Sequence, residues 1–208
     1  MATPPRLVPL LEQFDWACAR LDDRMTGPDG DSGNGLRTAI PPMTDEEYQW
    51  EPVPGCWSVR RRESGPGPRA TELIGAGEWG LDSAWPPPWP PPFTTIAWRL
   101  GHVSSMLALR ADHMAGSHSL TDDDYVFSGL ASEGIAAFGS GVTAWREVLT
   151  AVTDDAALDE AGLSTFPYGS DPEDRFIVTA WWVNQEVLHH GGEIALLRDL
   201  FREQHSQY

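Results

Sequence analysis

A carboxylate and an imidazole stand four residues apart near the end of the 208-residue chain, as Glu186 and His190. On a helix with 3.6 residues per turn, side chains at this spacing lie one above the other and can bind one cation together. Val183 and Leu197 extend the same helical stripe, and a polar pair buried among such residues is costly unless it is paired or bound to an ion. Two interpretations stay open at this point: a metal site, or an exposed Glu186 beside a hydrogen-bonded core histidine. A third ligand from elsewhere in the chain would decide between them.

His102 is the candidate for this third ligand. It shares a helical face with Trp98, Met106 and Leu109, so its ring points where apolar side chains point. Taken alone, this placement favours a buried structural histidine over a metal ligand. If His102 meets Glu186 and His190, however, the three form a site with open positions for water or substrate, which is typical of catalytic metal sites. Zinc is the first choice for such ligands, and iron(II), nickel and manganese are also compatible with them.

Four predicted helices must position these ligands. Residues 6–25, 96–114, 130–152 and 172–204 are the segments with helical character, and apolar side chains recur along them at steps of three and four. Thr94 and Thr95 can cap the second of these helices, and Thr44 with Glu47 has the form of a capping box for one short helical turn. Residues 27–42 are predicted to be a surface connection. The sequence thus predicts an all-α four-helix bundle with long loops, formed by residues 1–208 as one domain.

Two segments between the predicted helices have unusual compositions. Residues 60–62 are three successive arginines, which are compatible with an anion site but more typical of a solvated turn. Residues 78–93 contain Trp79, Trp85 and Trp89 together with runs of proline. The prolines exclude a helix and predict a polyproline-II segment. Such a segment could be a ligand for an SH3- or WW-type domain, or an aromatic wall beside a pocket. We favour packing against the protein itself, because large aromatic side chains are costly to leave in water.

The composition limits the partners and the compartment. The formal net charge is -17, from 31 acidic against 14 basic residues, so the protein repels phosphate backbones and anionic membrane surfaces. No signal peptide or membrane span is evident, which predicts a cytoplasmic protein. The expected partner is a small-molecule substrate. Cys18 and Cys56 are too few for a disulfide framework. Helical bundles of this type often pair, so a homodimer is compatible with the sequence.

Two motifs together resemble those of the DinB-like superfamily. They are Trp98-Arg-Leu-Gly-His102 on the second predicted helix and Glu186-Val-Leu-His-His-Gly-Gly-Glu-Ile194 on the fourth. The family builds a metal site from a histidine on helix two and a His-x-x-His-His-Arg-Gly-Gln segment on helix four. Pro54-Gly-Cys-Trp-Ser-Val59 also matches the Trp-Ser element of the family. The resemblance extends from the first predicted helix to the fourth and implies a DinB/YfiT-like four-helix bundle.

The resemblance assigns roles to individual positions of this chain. The helix-two ligand falls on His102, the last helix-four ligand on His190, and the first helix-four histidine on Glu186, which keeps a ligand of a harder type. His189 matches the non-ligand histidine and is expected to pack beside the site or to support it by a hydrogen bond. Trp98, Trp85 and Trp89 are expected as further pocket residues from the sequence itself and not from the resemblance. The family's arginine and glutamine are replaced by Gly191 and Glu193, so the resemblance assigns no substrate role to these two positions.

The resemblance also implies a class of reaction. Known relatives include S-transferases and isomerases that use low-molecular-weight thiols such as mycothiol or bacillithiol. A divalent metal favours the thiolate form of a bound thiol and so supplies a nucleophile at neutral pH. The leading hypothesis is therefore a metal-dependent thiol S-transferase or related detoxification enzyme. The alternatives are a metal-assisted hydrolase and a non-catalytic stress protein that binds a metal or a small molecule.

Overall fold

The computed structural model describes residues 3–27 and 41–205, so most of the predicted connection at 27–42 lies outside the described residues. The helices of the described chain are α1 (Val8–Thr26), the short α2 (Asp45–Gln49), α3 (Ile96–Ala115), α4 (Ala131–Ala151) and α5 (Phe176–His205). The four long helices form a ring in which α1 and α3 each pack against both α4 and α5. The predicted four-helix bundle is confirmed, with helix ends within about one turn of those predicted.

Each long helix directs an apolar stripe into a common core. On α5 this stripe includes Val183 and Leu197, which are both buried, as the sequence predicts. The other buried core residues include Phe14, Leu21, Leu100, Leu107, Phe138, Trp145, Leu149 and Ile194. No helix in the described ranges is both long and apolar enough to cross a membrane.

Threonine caps begin two of the helices. The Thr95 hydroxyl accepts a hydrogen bond from the Trp98 backbone N–H at 3.2 Å, and this cap fixes the start of α3. The Thr44 hydroxyl accepts from the Glu47 backbone N–H at 3.2 Å at the start of α2. The Glu47 carboxylate does not complete the predicted capping box, because it pairs with the buried Arg198 of α5 at 2.7 Å. The short helix α2 is therefore joined to the bundle by a buried ion pair.

A three-stranded antiparallel sheet, which the sequence did not reveal, packs against α3. Its strands are β1 (Val59–Arg61), β2 (Glu72–Ile74) and β3 (Trp79–Ser83), with β3 in the centre. Gly80 of β3 lies close to the neighbouring strand β2, because a Cβ at this position would lie 2.7 Å from the Cβ of Leu73. The indole N–H of Trp98 donates to the backbone carbonyl of Asp82 at 2.9 Å. The sheet is thereby tied to the first turn of α3.

The three successive arginines contact residues of this sheet through their side chains. Arg60 donates to the buried carboxylate of Asp82 at 2.7 Å, and Arg62 donates to backbone carbonyls of the β2 strand and the following turn. The guanidinium of Arg61 lies over the ring of Trp79, 4.7 Å from its centroid. The first two arginines thus belong to β1, and the third begins the 3-10 helix Arg62–Ser64. The run is therefore not the predicted solvated turn, and its guanidinium groups contact the protein instead of forming a free anion site.

The tryptophan- and proline-rich segment divides into two parts. Trp79 belongs to β3, whereas residues 84–93 form neither helix nor strand. The side chains of Trp85 and Trp89 are 85% and 89% exposed, so the prediction that they pack against the protein as a pocket wall is wrong. Pro87, Pro88, Pro91 and Pro92 line a cavity together with Trp57 and Trp98. The indoles of Trp85 and Trp89 lie in solvent, and among the prolines of residues 84–93 only Pro88 and Pro92 are partly buried.

Candidate metal centre

Facing helices bring the three predicted ligands together. His102 lies on α3, and Glu186 and His190 lie one turn apart on α5. The carboxylate oxygen of Glu186 is 3.5 Å from Nε2 of His102 and 3.4 Å from Nε2 of His190. One ligand atom from each residue lies within 4.8 Å of the others, so the group could hold a metal ion. That it does so stays a prediction.

The geometry and chemistry of this group fit a divalent cation. Contacts of 3.4 and 3.5 Å are longer than a charge-assisted hydrogen bond between the same groups. Two imidazole nitrogens and one carboxylate oxygen form a set that suits zinc and its neighbours. The Glu186 and His190 side chains are 14% and 11% exposed, whereas that of His102 is 34% exposed. The group is therefore protected on the α5 side and open on the side of His102.

Contacts with both histidines control the charge of Glu186. They hold the pKa of its carboxyl well below the usual range, although partial burial acts in the opposite direction. The group is therefore ionised at neutral pH. A metal ligand must be deprotonated, so the carboxylate is already in its binding form.

Glu193 orients the ring of His190. Its carboxylate lies 2.7 Å from Nδ1 of His190, which directs the other ring nitrogen, Nε2, towards Glu186. Arg99 on α3 pairs with the same carboxylate. His189 stacks on His190 with ring centroids 4.9 Å apart, and its Nε2 lies 3.4 Å from Glu193. A carboxylate bound to the second nitrogen of a ligand imidazole fixes its tautomer and raises its basicity.

Trp98 holds the ring of His102. The two residues are one turn apart on α3, and their rings are stacked 5.2 Å apart with an angle of 12° between the planes. Because the indole N–H is itself bonded to the sheet, the stack connects the His102 ring to β3. Trp98 is thus the one of the three predicted pocket tryptophans that the structure places beside the ligands.

A cavity of about 460 Å³ opens beside His102. Its volume is within the range of small-molecule sites. Apolar side chains form most of its wall, among them Trp57, Leu81, Trp98, Met106, Leu109, Phe166 and Trp182. The centre therefore faces a space in which an apolar substrate can lie against His102.

Arg110 and Asp122 are two of the charged groups that line this cavity, and neither was identified from the sequence. Arg110 follows His102 by two turns on α3, and its guanidinium carbon lies 3.9 Å from the centroid of the Trp182 ring. Its Nε is paired with the buried carboxylate of Asp171 at 3.0 Å. Burial lowers its pKa, and Asp171 opposes that effect. The spacing of eight residues from His102 is the sequence signal that could have placed Arg110 on the ligand face.

Asp122 is the second of these charged groups. Burial raises the pKa of its carboxyl, and His102 acts in the opposite direction. Within the described residues its carboxylate makes no hydrogen bond, and it lines the same cavity as His102. The sequence marks it only as part of an acidic turn, because its position depends on how the loop after α3 folds back. The cavity therefore holds one carboxylate that the protein does not use for structure.

A four-helix bundle that presents two imidazoles and a carboxylate from facing helices beside a small-molecule cavity defines a class of candidate metalloproteins. The model of the DinB superfamily matches residues 31–194, a range that contains all three ligand positions, and the chain belongs to this superfamily. The family predicted from the sequence motifs is thus confirmed. No curated protein and no solved structure matches the chain.

Proposed function

We propose that this protein is a metal-dependent enzyme that transfers a low-molecular-weight thiol to a small electrophile. The observation that carries the proposal is the position of His102, which belongs to the three-ligand group and also lines the 460 Å³ cavity. A substrate in the cavity would thus lie directly beside the ligand group. The metal that we expect is zinc, with nickel, iron and manganese as alternatives.

The charges of the ligand group support a thiol as the substrate. Two neutral imidazoles and one carboxylate leave a net positive charge on a bound divalent ion, which favours an anion such as a thiolate beside it. When bound, the metal would lower the pKa of a thiol and so supply a nucleophile at neutral pH. In the reaction a carbon–sulfur bond forms and the electrophile loses its leaving group with the electron pair.

Protein side chains have separate roles in this proposal. Asp122 can accept the thiol proton, because its carboxylate lies in the cavity and its raised pKa makes it a better base than an ordinary aspartate. The apolar wall around Met106 and Trp182 would hold the electrophile and exclude water. Glu193 and Trp98 would keep the two imidazoles in position.

Neither cysteine of the chain is suited to be the nucleophile. Cys18 is buried, and burial raises the pKa of its thiol to about 12. Cys56 is also buried, and its pKa is raised for the same reason. At neutral pH both remain thiols, which are poor nucleophiles. The thiol must therefore come from a small molecule.

The test begins with elemental analysis of the purified protein without an affinity tag. We expect about one zinc, nickel or iron per chain, and loss of that metal in His102→Ala and His190→Ala. His189→Ala is the matched control, since this neighbouring histidine is largely exposed and is not one of the three ligands. Full metal content in both ligand variants would refute the assignment of the centre.

The second part of the test follows thiol consumption. The metal-loaded protein is incubated with mycothiol or bacillithiol and an activated alkyl halide, and the remaining thiol is measured against the His102→Ala variant. Thiol loss that depends on His102 supports the transferase. Stoichiometric metal without thiol loss would indicate a non-catalytic metal-binding protein, and ester hydrolysis without thiol would indicate a metal-assisted hydrolase.

A further inference from the structure

A second cavity shares Trp57 and Trp98 with the cavity beside His102, but His102 does not line it. It measures about 320 Å³ and is lined by both apolar rings and a few polar groups. Its lining residues are Trp57, Pro87, Pro88, Pro91, Pro92, Thr94, Trp98, Arg99 and Glu193. Apolar walls with a small number of convergent polar side chains are the usual composition of a small-molecule site. We call this space the proline-walled cavity.

Arg99 is the cation of this cavity, and few of its donors are used. Its side chain is only 12% exposed. One nitrogen, Nη1, pairs with Glu193, and within the described residues the guanidinium makes no other hydrogen bond. Burial lowers its pKa, and the single carboxylate of Glu193 opposes that effect. A guanidinium has five N–H donors, so Arg99 has several left for another acceptor.

Other buried arginines of the protein differ from Arg99 in this respect. Arg198 donates to both carboxylate oxygens of Glu47 and also to the carbonyl of Pro41. Arg60 donates to Asp82, to Glu51 and to the carbonyl of Cys56. These arginines are satisfied by the fold itself. Arg99 has comparable burial without comparable partners, and it lies in the wall of a cavity.

We propose that the proline-walled cavity binds a small organic anion. An aromatic or aliphatic body would lie between the proline rings and the indoles of Trp57 and Trp98, and a carboxylate or phosphate group would pair with Arg99. Both head groups offer the oxygen acceptors that a guanidinium binds best. The assignment goes beyond the proposed thiol transfer and holds whether or not the metal centre is catalytic.

The experiment is isothermal titration calorimetry of the full chain with three matched probes. Phenylacetate and phenylphosphonate carry the two head groups, and phenylacetamide is the neutral equivalent of the first. We expect at least one of the two anions to bind about tenfold or more tightly than the amide, since a hydrogen bond to a charged group is worth about 1.5–3 kcal/mol. Comparison of the two anions distinguishes a carboxylate site from a phosphate site. Equal binding of all three probes, or no binding of either anion, would overturn the proposal.

Variants locate the binding to this cavity. Arg99→Gln should weaken anion binding about tenfold or more, and Arg99→Lys should restore part of it because the charge is kept. Arg61→Gln is the matched control, since this arginine lies on the neighbouring sheet and does not line the cavity. Circular dichroism shows whether each variant is folded. Unchanged affinity in a folded Arg99→Gln protein would contradict the assignment.

A further control separates this proposal from the function of the metal centre. The titration is repeated on metal-free protein and on His102→Ala, which carries the substitution outside the lining of the proline-walled cavity. Anion binding should persist in both. Loss of binding in both samples would place the anion at the metal centre and would refute a separate site.

Discussion

The three candidate ligands are oriented by different kinds of contact. The ring of His190 is fixed by a hydrogen bond to Glu193, and the ring of His102 is fixed by stacking on Trp98. Glu186 lies between the two imidazoles and is the only ligand with a negative charge. Its loss therefore changes both the number of ligands and the charge of the centre.

Replacement of Glu186 by glutamine tests this role while keeping the shape of the side chain. We expect metal affinity to fall by about ten- to a hundredfold, because a neutral amide oxygen is a weaker ligand for a divalent ion than a carboxylate oxygen is. Affinity is measured by competition with a chromophoric chelator. Glu147→Gln, on the exposed face of α4, is the control and should bind metal like the wild type. Equal affinity in Glu186→Gln would show that this carboxylate is not a ligand.

The ligand group could be predicted from the sequence, whereas most of the cavity around it could not. The spacing of Glu186 and His190 and the apolar face of His102 require only helical geometry and a shared core. Asp122 requires knowledge of the loop after α3, which local spacing does not contain. Trp85 and Trp89 were predicted wrongly to pack against the protein, because the hydrophobic cost of exposing an indole does not determine whether the folded chain offers a surface for it.

At the scale of elements, α5 joins the candidate metal centre to the rest of the bundle. Its middle turns carry Glu186 and His190, and one further residue, Arg198, pairs with Glu47 of α2 at 2.7 and 2.8 Å. Both side chains of this pair are buried. An ion pair in such a position adds modest net stability, but removal of one partner leaves an uncompensated charge in the core.

Glu47→Ala should therefore destabilise the protein by about 3–5 kcal/mol. Arg198 would lose both carboxylate contacts and remain buried with only backbone carbonyls as partners. Urea denaturation followed by circular dichroism measures the effect. Arg146→Gln is the control: it removes the exposed pair with Asp15, and the expected change is about 0–1 kcal/mol. Similar losses in both variants would contradict a special role for the buried pair.

Helices were more predictable than strands for a physical reason. Each long helix has several turns of apolar periodicity, which specify its buried face within its own sequence. The strands have three to five residues, too few to show a reliable alternation. Their pairing depends on contacts between distant residues, such as Arg60 with Asp82. These contacts can be recognised only when the chain is folded.

At the scale of the whole molecule, the candidate centre is a cross-link between distant parts of the chain. His102 belongs to α3, and the other two ligands belong to α5. The unfolded chain does not hold these side chains together, so a metal that binds the three binds the folded protein preferentially. By mass action, such a ligand raises the free energy of unfolding.

We therefore expect zinc to raise the melting temperature of the metal-free protein. At a free metal concentration about a hundredfold above the Kd, the gain is about 2.7 kcal/mol, which corresponds to about 5–10 °C for a chain of this size. His102→Ala should show a much smaller shift, and His189→Ala should behave like the wild type. Differential scanning calorimetry with and without zinc chloride gives the comparison. An equal shift in His102→Ala would place the stabilising ion elsewhere.

The pH dependence of this shift follows from the groups that bind the metal. Both imidazoles must be neutral to bind the ion, so protons compete with zinc and the shift should diminish as the pH falls. The lowered pKa of Glu186 gives a second dependence, in the same direction, in the metal-free protein. A carboxyl with a lowered folded-state pKa contributes stability above its unfolded pKa of about 4.3, and that contribution is lost as the pH falls further. Both the zinc shift and the stability due to Glu186 should therefore decrease as the pH falls, and only the first requires added zinc. A zinc shift that does not diminish as the pH falls would contradict histidine ligation, because protons and the ion compete for the same imidazole nitrogens.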